Sequence, residues 1–342
     1  MSKPRHLLTA AVYAFALSQT ALADDANTVP DQGVSERSSS ARMDRISRAA
    51  AVYGTYQNDV SGLREKPLSS ASDIDSALTN LGGQNAGQLS TGWLAYSAMV
   101  AAQSPEFRAA VRDIEGFYGR DRVMTGMRND VSYARTLDGG QGAISSALAA
   151  TQADSRRLSS AAAYVKEQAY TLQGTGWAKA RIGNANRIAA SIETTSKSGR
   201  APDAAVVSAF QSPSIDNALS QAGGSGAPSL WDGTMDTAAG IRFPSLRNPS
   251  LTARRHDVKL GREQVADRIA TLAAYRVIGV DNQTAGHISS AMADTETSSC
   301  IRRSQLNLQQ CVAASYRQYE LPYCISQHAL QDVGDCISRV SN

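Results

Sequence analysis

Not one cysteine precedes position 300 in a chain of 342 residues. Aromatic residues are scarce at 6%, and lysine is scarcer still, with six lysines beside 28 arginines. No apolar stretch after the N-terminal region nears the ~18 residues that a membrane helix requires. No series of alternating segments of about ten residues suggests an outer-membrane barrel. Long alternating runs of Val, Ile, Thr and Tyr are also missing, which leaves little material for half-buried strands. The fold expected from these absences is all-α, a multi-helix array or bundle rich in alanine and serine. Such small residues let helices approach closely but bury little area each.

Catalytic signatures are equally thin. His256, His287 and His328 are far apart in the chain, and no H-E-x-x-H places two of them on one helix face. There is no G-x-S-x-G elbow, no S-x-x-K pair and no phosphate-cradling glycine loop between a strand and a helix. No glutamate is followed by serine, the pairing common in lytic transglycosylases. Two glutamates stand as candidate acids: Glu115 within Asp113-Ile114-Glu115-Gly116-Phe117-Tyr118, and Glu320 between Tyr319 and Leu321. An apolar pocket around either would raise its pKa, as a glycosidase acid needs. No cofactor and no metal site is expected.

Lys3 and Arg5 precede an apolar run from Leu7 to Leu17, and Ala21-Leu22-Ala23 follows as a small-x-small cleavage site. This order is that of a secretory signal peptide over residues 1–23, and the apolar run is too short to cross a bilayer. Without Lys3 and Arg5 the chain holds 32 basic against 31 acidic residues. That balance lacks the basic footprint of a nucleic-acid binder. The expected product is an exported bacterial protein, periplasmic or secreted, with no integral membrane segment after cleavage.

Residues 24–42 are polar and read as a flexible leader. Residues 43–222 carry helical patterns: a start at Asp44, another at Ser72-Asp73, and Ser104-Pro105-Glu106 with a capping serine and a first-turn proline. Thr91-Gly92-Trp93 leads into an apolar segment. The patterns at 143–172 and 177–197 read as two antiparallel helices joined by a Gly turn. Residues 223–250 are rich in Gly, Pro, Ser and Asn, a long loop or linker before a C-terminal helical domain at 251–342.

The four cysteines, Cys300, Cys311, Cys324 and Cys336, are symmetric about residues 317–318. Close C-x-x-C pairs, which mark structural zinc and redox sites, are absent. On an intact helix Cys300 and Cys311 lie roughly 16 Å apart, and Cys324 and Cys336 about 18 Å. Both spans exceed the ~7 Å Cα limit of a disulfide. Only nested pairing, Cys300–Cys336 outside Cys311–Cys324, suits two helices that turn at Tyr319-Glu320-Leu321-Pro322. This plan resembles the twin-cysteine hairpins of the coiled-coil–helix family over about 40 residues, in architecture alone and with longer intervals. Eleven positions return to nearly the same helix face, whereas the twelve between Cys324 and Cys336 end about 120° away. Gly334 is the expected point of local unwinding.

Two surface features suit binding. Tyr316, Tyr319 and Tyr323 cluster at the hairpin tip beside His328, and tyrosines offer rigid amphipathic area to a partner. Arg247, Arg254, Arg255, Lys259 and Arg262 form a basic stretch. The expected role is that of a non-enzymatic scaffold or adaptor for an envelope protein or a cell-wall polymer. The alternative is an all-α lytic enzyme using one glutamate.

Overall fold

Caps decide where the helices begin. The structure, a computed structural model, describes residues 44–212, 214–224, 227–232, 256–279 and 285–341. Asp44 accepts the Ser47 N–H at 2.8 Å and opens α1 (Arg45–Glu65). Ser70 accepts the Asp73 N–H and opens α2 (Ala71–Gly82), and Asn85 accepts the Gln88 N–H and opens α3 (Ala86–Ala101). Each cap satisfies a backbone donor that the first turn would leave unpaired. Pro105 stands at the start of α4 (Pro105–Tyr118), as the sequence predicts.

Next come α5 (Arg120–Asn129), the single turn α6 (Tyr133–Thr136) and the long α7 (Gly140–Leu172). The elements α8 (Ala185–Ser198), α9 (Ala204–Gln211) and α10 (Ile215–Ala222) complete the first part. After the segment at 227–232 the described helices are α11 (Glu263–Ile278), α12 (Ala285–Ala291) and α13 (Thr295–Ala314). The chain then runs through α14 (Glu320–Cys324), a π-helical stretch (Ile325–Gln331) and α15 (Asp332–Ser338). Among the described residues only isolated bridges stand in for sheet, Arg181 with Arg317 and Val258 with Ser341. The fold is all-α.

Helix α3 is the central strut. It is apolar around most of its circumference, the mark of a helix enclosed by others. Its neighbours are α1, α7, α10, α11 and α13. Thr91-Gly92-Trp93 therefore lies inside α3 and does not precede it. A Cβ on Gly92 would stand 2.7 Å from the Ala49 carbonyl oxygen and 2.9 Å from the Tyr53 nitrogen. Both are backbone atoms of α1 and cannot swing aside. Gly92→Ala should push α1 and α3 apart and cost about 1–3 kcal/mol in urea unfolding; a midpoint equal to that of the parent chain would mean the contact is slack. Trp93 is fully buried and donates its indole N–H to the Thr151 hydroxyl at 3.2 Å.

Among the described residues, helices from both sides of 223–250 share one core. α11 packs on α3 and α4, and α13 packs on α8 and α3. The loop expected between two domains thus does not separate two cores. The expected signal peptide at 1–23, the leader at 24–42 and most of 223–255 lie outside the described residues.

The stapled hairpin is part of this core. Cys300–Cys336 and Cys311–Cys324 form the nested pair, each with Cα atoms 5.7 Å apart. Ile301, Leu308, Val312, Leu321, Ile325 and Ile337 are buried among the other helices. The phase error of the second helix is corrected by the π-helical stretch. There the Asp332 N–H reaches the Gln327 carbonyl, five residues back. One residue is absorbed in that wider turn, so twelve positions act as eleven and Cys336 returns to within about 20° of Cys324's face. Gly334 does not unwind its helix, contrary to expectation. It lets α15 approach α7, where a Cβ would meet Leu158 at 3.2 Å and the Ser155 carbonyl at 3.3 Å.

Candidate functional site

The second helix expected at 177–197 starts only at Ala185, because the preceding segment is used otherwise. After α7 the chain makes a short 3-10 turn at Trp177–Lys179 and then runs alongside the hairpin tip. The Ile182 N–H bonds the Tyr316 carbonyl at 3.0 Å, while the N–H groups of Gln318 and Tyr319 bond the carbonyls of Ala180 and Ala178. Arg317 adds a side-chain bond to the Lys179 carbonyl. Glu320 closes the turn from within by accepting the Tyr316 N–H at 2.6 Å. The inner disulfide ties the same turn to the end of α13. The tip is held by covalent bond, backbone ladder and cap together.

Between this tip and the end of α7 lies a cleft of about 320 Å³. Tyr170 and Gln173 of α7 and its end form one wall; Ser315, Tyr319, Glu320 and Tyr323 form the other. Ala169, Ala314 and the Cys311–Cys324 disulfide complete the lining. Tyr170 and Tyr323 are 51% and 40% exposed, so each ring is offered to solvent from a fixed backbone. The Lys166 ammonium lies 5.6 Å from the Tyr323 ring centre. Just outside the cleft, the guanidinium groups of Arg181 and Arg317 lie 4.5 and 4.9 Å from the ring centre of Tyr316.

Of the residues singled out in the sequence, Tyr319, Tyr323 and Glu320 meet in this cleft, and Tyr316 flanks it. His328 sits in the π-helical stretch, its Nδ1 2.8 Å from Asp332, with its carbonyl accepting the Ser304 hydroxyl. Glu115 lies on α4, away from this cleft. It pairs with Arg112 one turn away on α4, and the neighbouring Phe117 is 80% exposed. Of the basic stretch, Lys259 is exposed, whereas Arg262 is buried and bound to Asp294, Glu296 and the Thr297 hydroxyl; Arg247, Arg254 and Arg255 lie outside the described residues.

Compared with protein-family models, with characterised proteins and with solved structures, the chain matches none.

Tyr170, Gln173, Lys166 and Arg181 escaped the sequence reading. Their polar or small neighbours, on α7 and in the segment after it, give no local sign that the hairpin will arrive opposite them.

A second polar concentration is buried. Asp154 on α7 is wholly enclosed, accepting from the Tyr53 hydroxyl at 2.9 Å and from the Ser229 hydroxyl at 2.6 Å. Gln57 donates to the Tyr53 oxygen, and Arg157 donates to the Gln57 side chain and to Ser61. Arg157 also faces Asp232 at 3.3 Å, and Arg64 meets the same carboxylate at 2.6 Å. This network clamps the 229–232 segment onto α1 and α7.

Burial pushes the Asp154 carboxyl up to about 6, against the lowering effect of its hydrogen bonds from Ser229 and Tyr53 and the attraction of Arg157. A carboxyl whose folded pKa is raised favours the fold below its unfolded value, near 4. That advantage disappears as pH climbs through the folded value. Stability should therefore fall between about pH 4 and 7 by on the order of 2 kcal/mol from this group. Asp154→Asn should remove that part of the slope in urea unfolding measured across pH; an unchanged slope would assign the titration elsewhere.

Proposed function

We propose that the protein is an exported helical binding protein, a non-enzymatic scaffold or adaptor that grips an envelope component through the cleft at its hairpin tip. The supporting observation is the cleft itself: half-exposed tyrosines on a turn fastened by a disulfide, a backbone ladder and a carboxylate cap. A surface ordered in advance loses less conformational freedom on binding. Two disulfides suit a non-reducing setting outside the cytoplasm, and among the described residues no helix is long and apolar enough to cross a membrane. The signal-peptide pattern at 1–23 makes a bacterial envelope the destination in this reading.

Glu320 serves the binding reading better than the catalytic one. Its carboxylate is committed to the turn, accepting the Tyr316 N–H at 2.6 Å, so it acts there as a structural cap of the binding surface. The test is sedimentation with purified cell-wall sacculi and with envelope protein extract. Wild-type chain should be retained by one of them, and Tyr170→Ala/Tyr323→Ala should release it. Equal retention of both forms would overturn the cleft as the contact. Soluble fragments released from sacculi by wild type but not by Glu320→Gln would establish the lytic alternative.

A further inference from the structure

We infer that the cleft takes an acidic saccharide, a short stretch of sugar chain carrying carboxylates. The inference rests on the reading of the cleft as the binding site and adds the chemistry of its occupant. At about 320 Å³ the cavity sits near the lower edge of ligand sites, which span roughly 300–1,000 Å³. It has room for a short oligosaccharide segment and none for a folded domain.

Its walls combine three features. Tyr170, Tyr319 and Tyr323 present flat apolar rings whose negative faces suit the C–H-rich faces of sugar rings. Gln173, Ser315, Glu320 and the tyrosine hydroxyls offer mixed donors and acceptors in reach of that space. Such a mixture fits hydroxyl groups, which both donate and accept. The third feature is charge. Lys166 rests over the lining Tyr323, Arg181 and Arg317 lie over Tyr316 beside the lining Ser315, and Glu320 is the one carboxylate in the lining.

The balance at the rim favours an anionic guest and opposes an organic cation, which the tyrosines alone would also have suited. An arginine fork matches a carboxylate geometrically, and Arg181 is exposed. An acidic peptide shares the charge but not the need for flat ring faces beside hydroxyl-binding groups.

The test is calorimetric titration of the full mature chain with three probes: a trimer of galacturonic acid, a trimer of N-acetylglucosamine and hexaglutamate. The acidic trisaccharide should bind about tenfold more tightly than the neutral one. That gap should close in Arg181→Gln and shrink as salt is raised. Tyr170→Ala/Tyr323→Ala should weaken the acidic trisaccharide by about tenfold, and Tyr170→Phe/Tyr323→Phe should restore most of it, because the ring faces carry the contact. Thermal unfolding of each variant at the parent's midpoint separates lost binding from lost fold. Equal affinity for the two sugars, tighter binding of hexaglutamate, or no heat with either sugar would overturn the inference. If sacculi or extract still retain wild type and release the alanine variant while no sugar binds, the occupant is wrong and the binding site stands. If the alanine variant is retained like wild type, the site itself falls.

Discussion

Trp231→Ala should destabilise the protein by about 3–5 kcal/mol, the range for emptying a large aromatic site in a packed core. Trp231 is almost wholly buried among three aromatic neighbours. Its ring centre lies 5.6 Å from that of Tyr96, 6.1 Å from Phe210 and 6.4 Å from Tyr53. The surroundings are built around it: a Cβ on Gly54 would come within 3.0 Å of the indole. Removal would leave a cavity between α1, α3 and α9 that stiff helices cannot collapse to fill. The hydrogen bond from Ser229 to Asp154 and the pairing of Asp232 with Arg157 would lose the anchor between them. Urea unfolding is the measurement, with Trp177→Ala, only partly buried, as the reference. A loss below about 1 kcal/mol would show that the segment at 229–232 is not a keystone of the core.

Arg157→Ala should be comparably severe, for an electrostatic reason. The guanidinium is 3% exposed and burial pulls its pKa down, opposed by the carboxylates of Asp232 and Asp154. Deleting one partner of a buried charged cluster typically costs about 3–5 kcal/mol; Asp232 would keep Arg64 and is partly open to water, but the enclosed Asp154 would lose its nearby cation. Here Gln57 and Ser61 would lose their bonding partner at the same time. Arg157→Met keeps the volume and Asp232→Asn removes the facing charge. The double variant should therefore be less destabilised than the sum of the two single changes. Strict additivity in denaturant unfolding would mean that Arg157 acts by packing alone.

How far the sequence reaches can be judged residue by residue. Local chemistry was legible: Asp44, Pro105 and the stripe of Phe107 and Val111 are where capping rules and periodicity place them. The nested disulfides followed from helical rise together with the turn at Tyr319-Glu320-Leu321-Pro322, because sulfur pairing has a short reach. What escaped were features set by distant partners. The segment at 177–184 reads as helix until the hairpin tip claims its backbone groups. Arg262 reads as a surface cation until Asp294 and Glu296 come to meet it. Thr91-Gly92-Trp93 reads as the lead into an apolar segment until α1 is laid across Gly92 inside α3. The cleft was half visible, since Tyr319, Glu320 and Tyr323 are near in sequence, whereas Tyr170 joins them only through the tertiary fold. The network around Asp154 gave no signal, because Tyr53, Asp154 and Ser229 come from three remote parts of the chain.

The π-helical stretch at 325–331 has an effect on how kinship should be sought. What the outer and inner bridges demand is that two sulfurs point the same way, and the wider turn meets that demand with one surplus residue. A homologue lacking that residue would keep both staples on an uninterrupted α-helix, with eleven positions where this chain has twelve. Cysteine counting along the chain would then separate two proteins that share one scaffold. Angular agreement of the sulfurs, rather than the length between them, is the trait that descent would preserve.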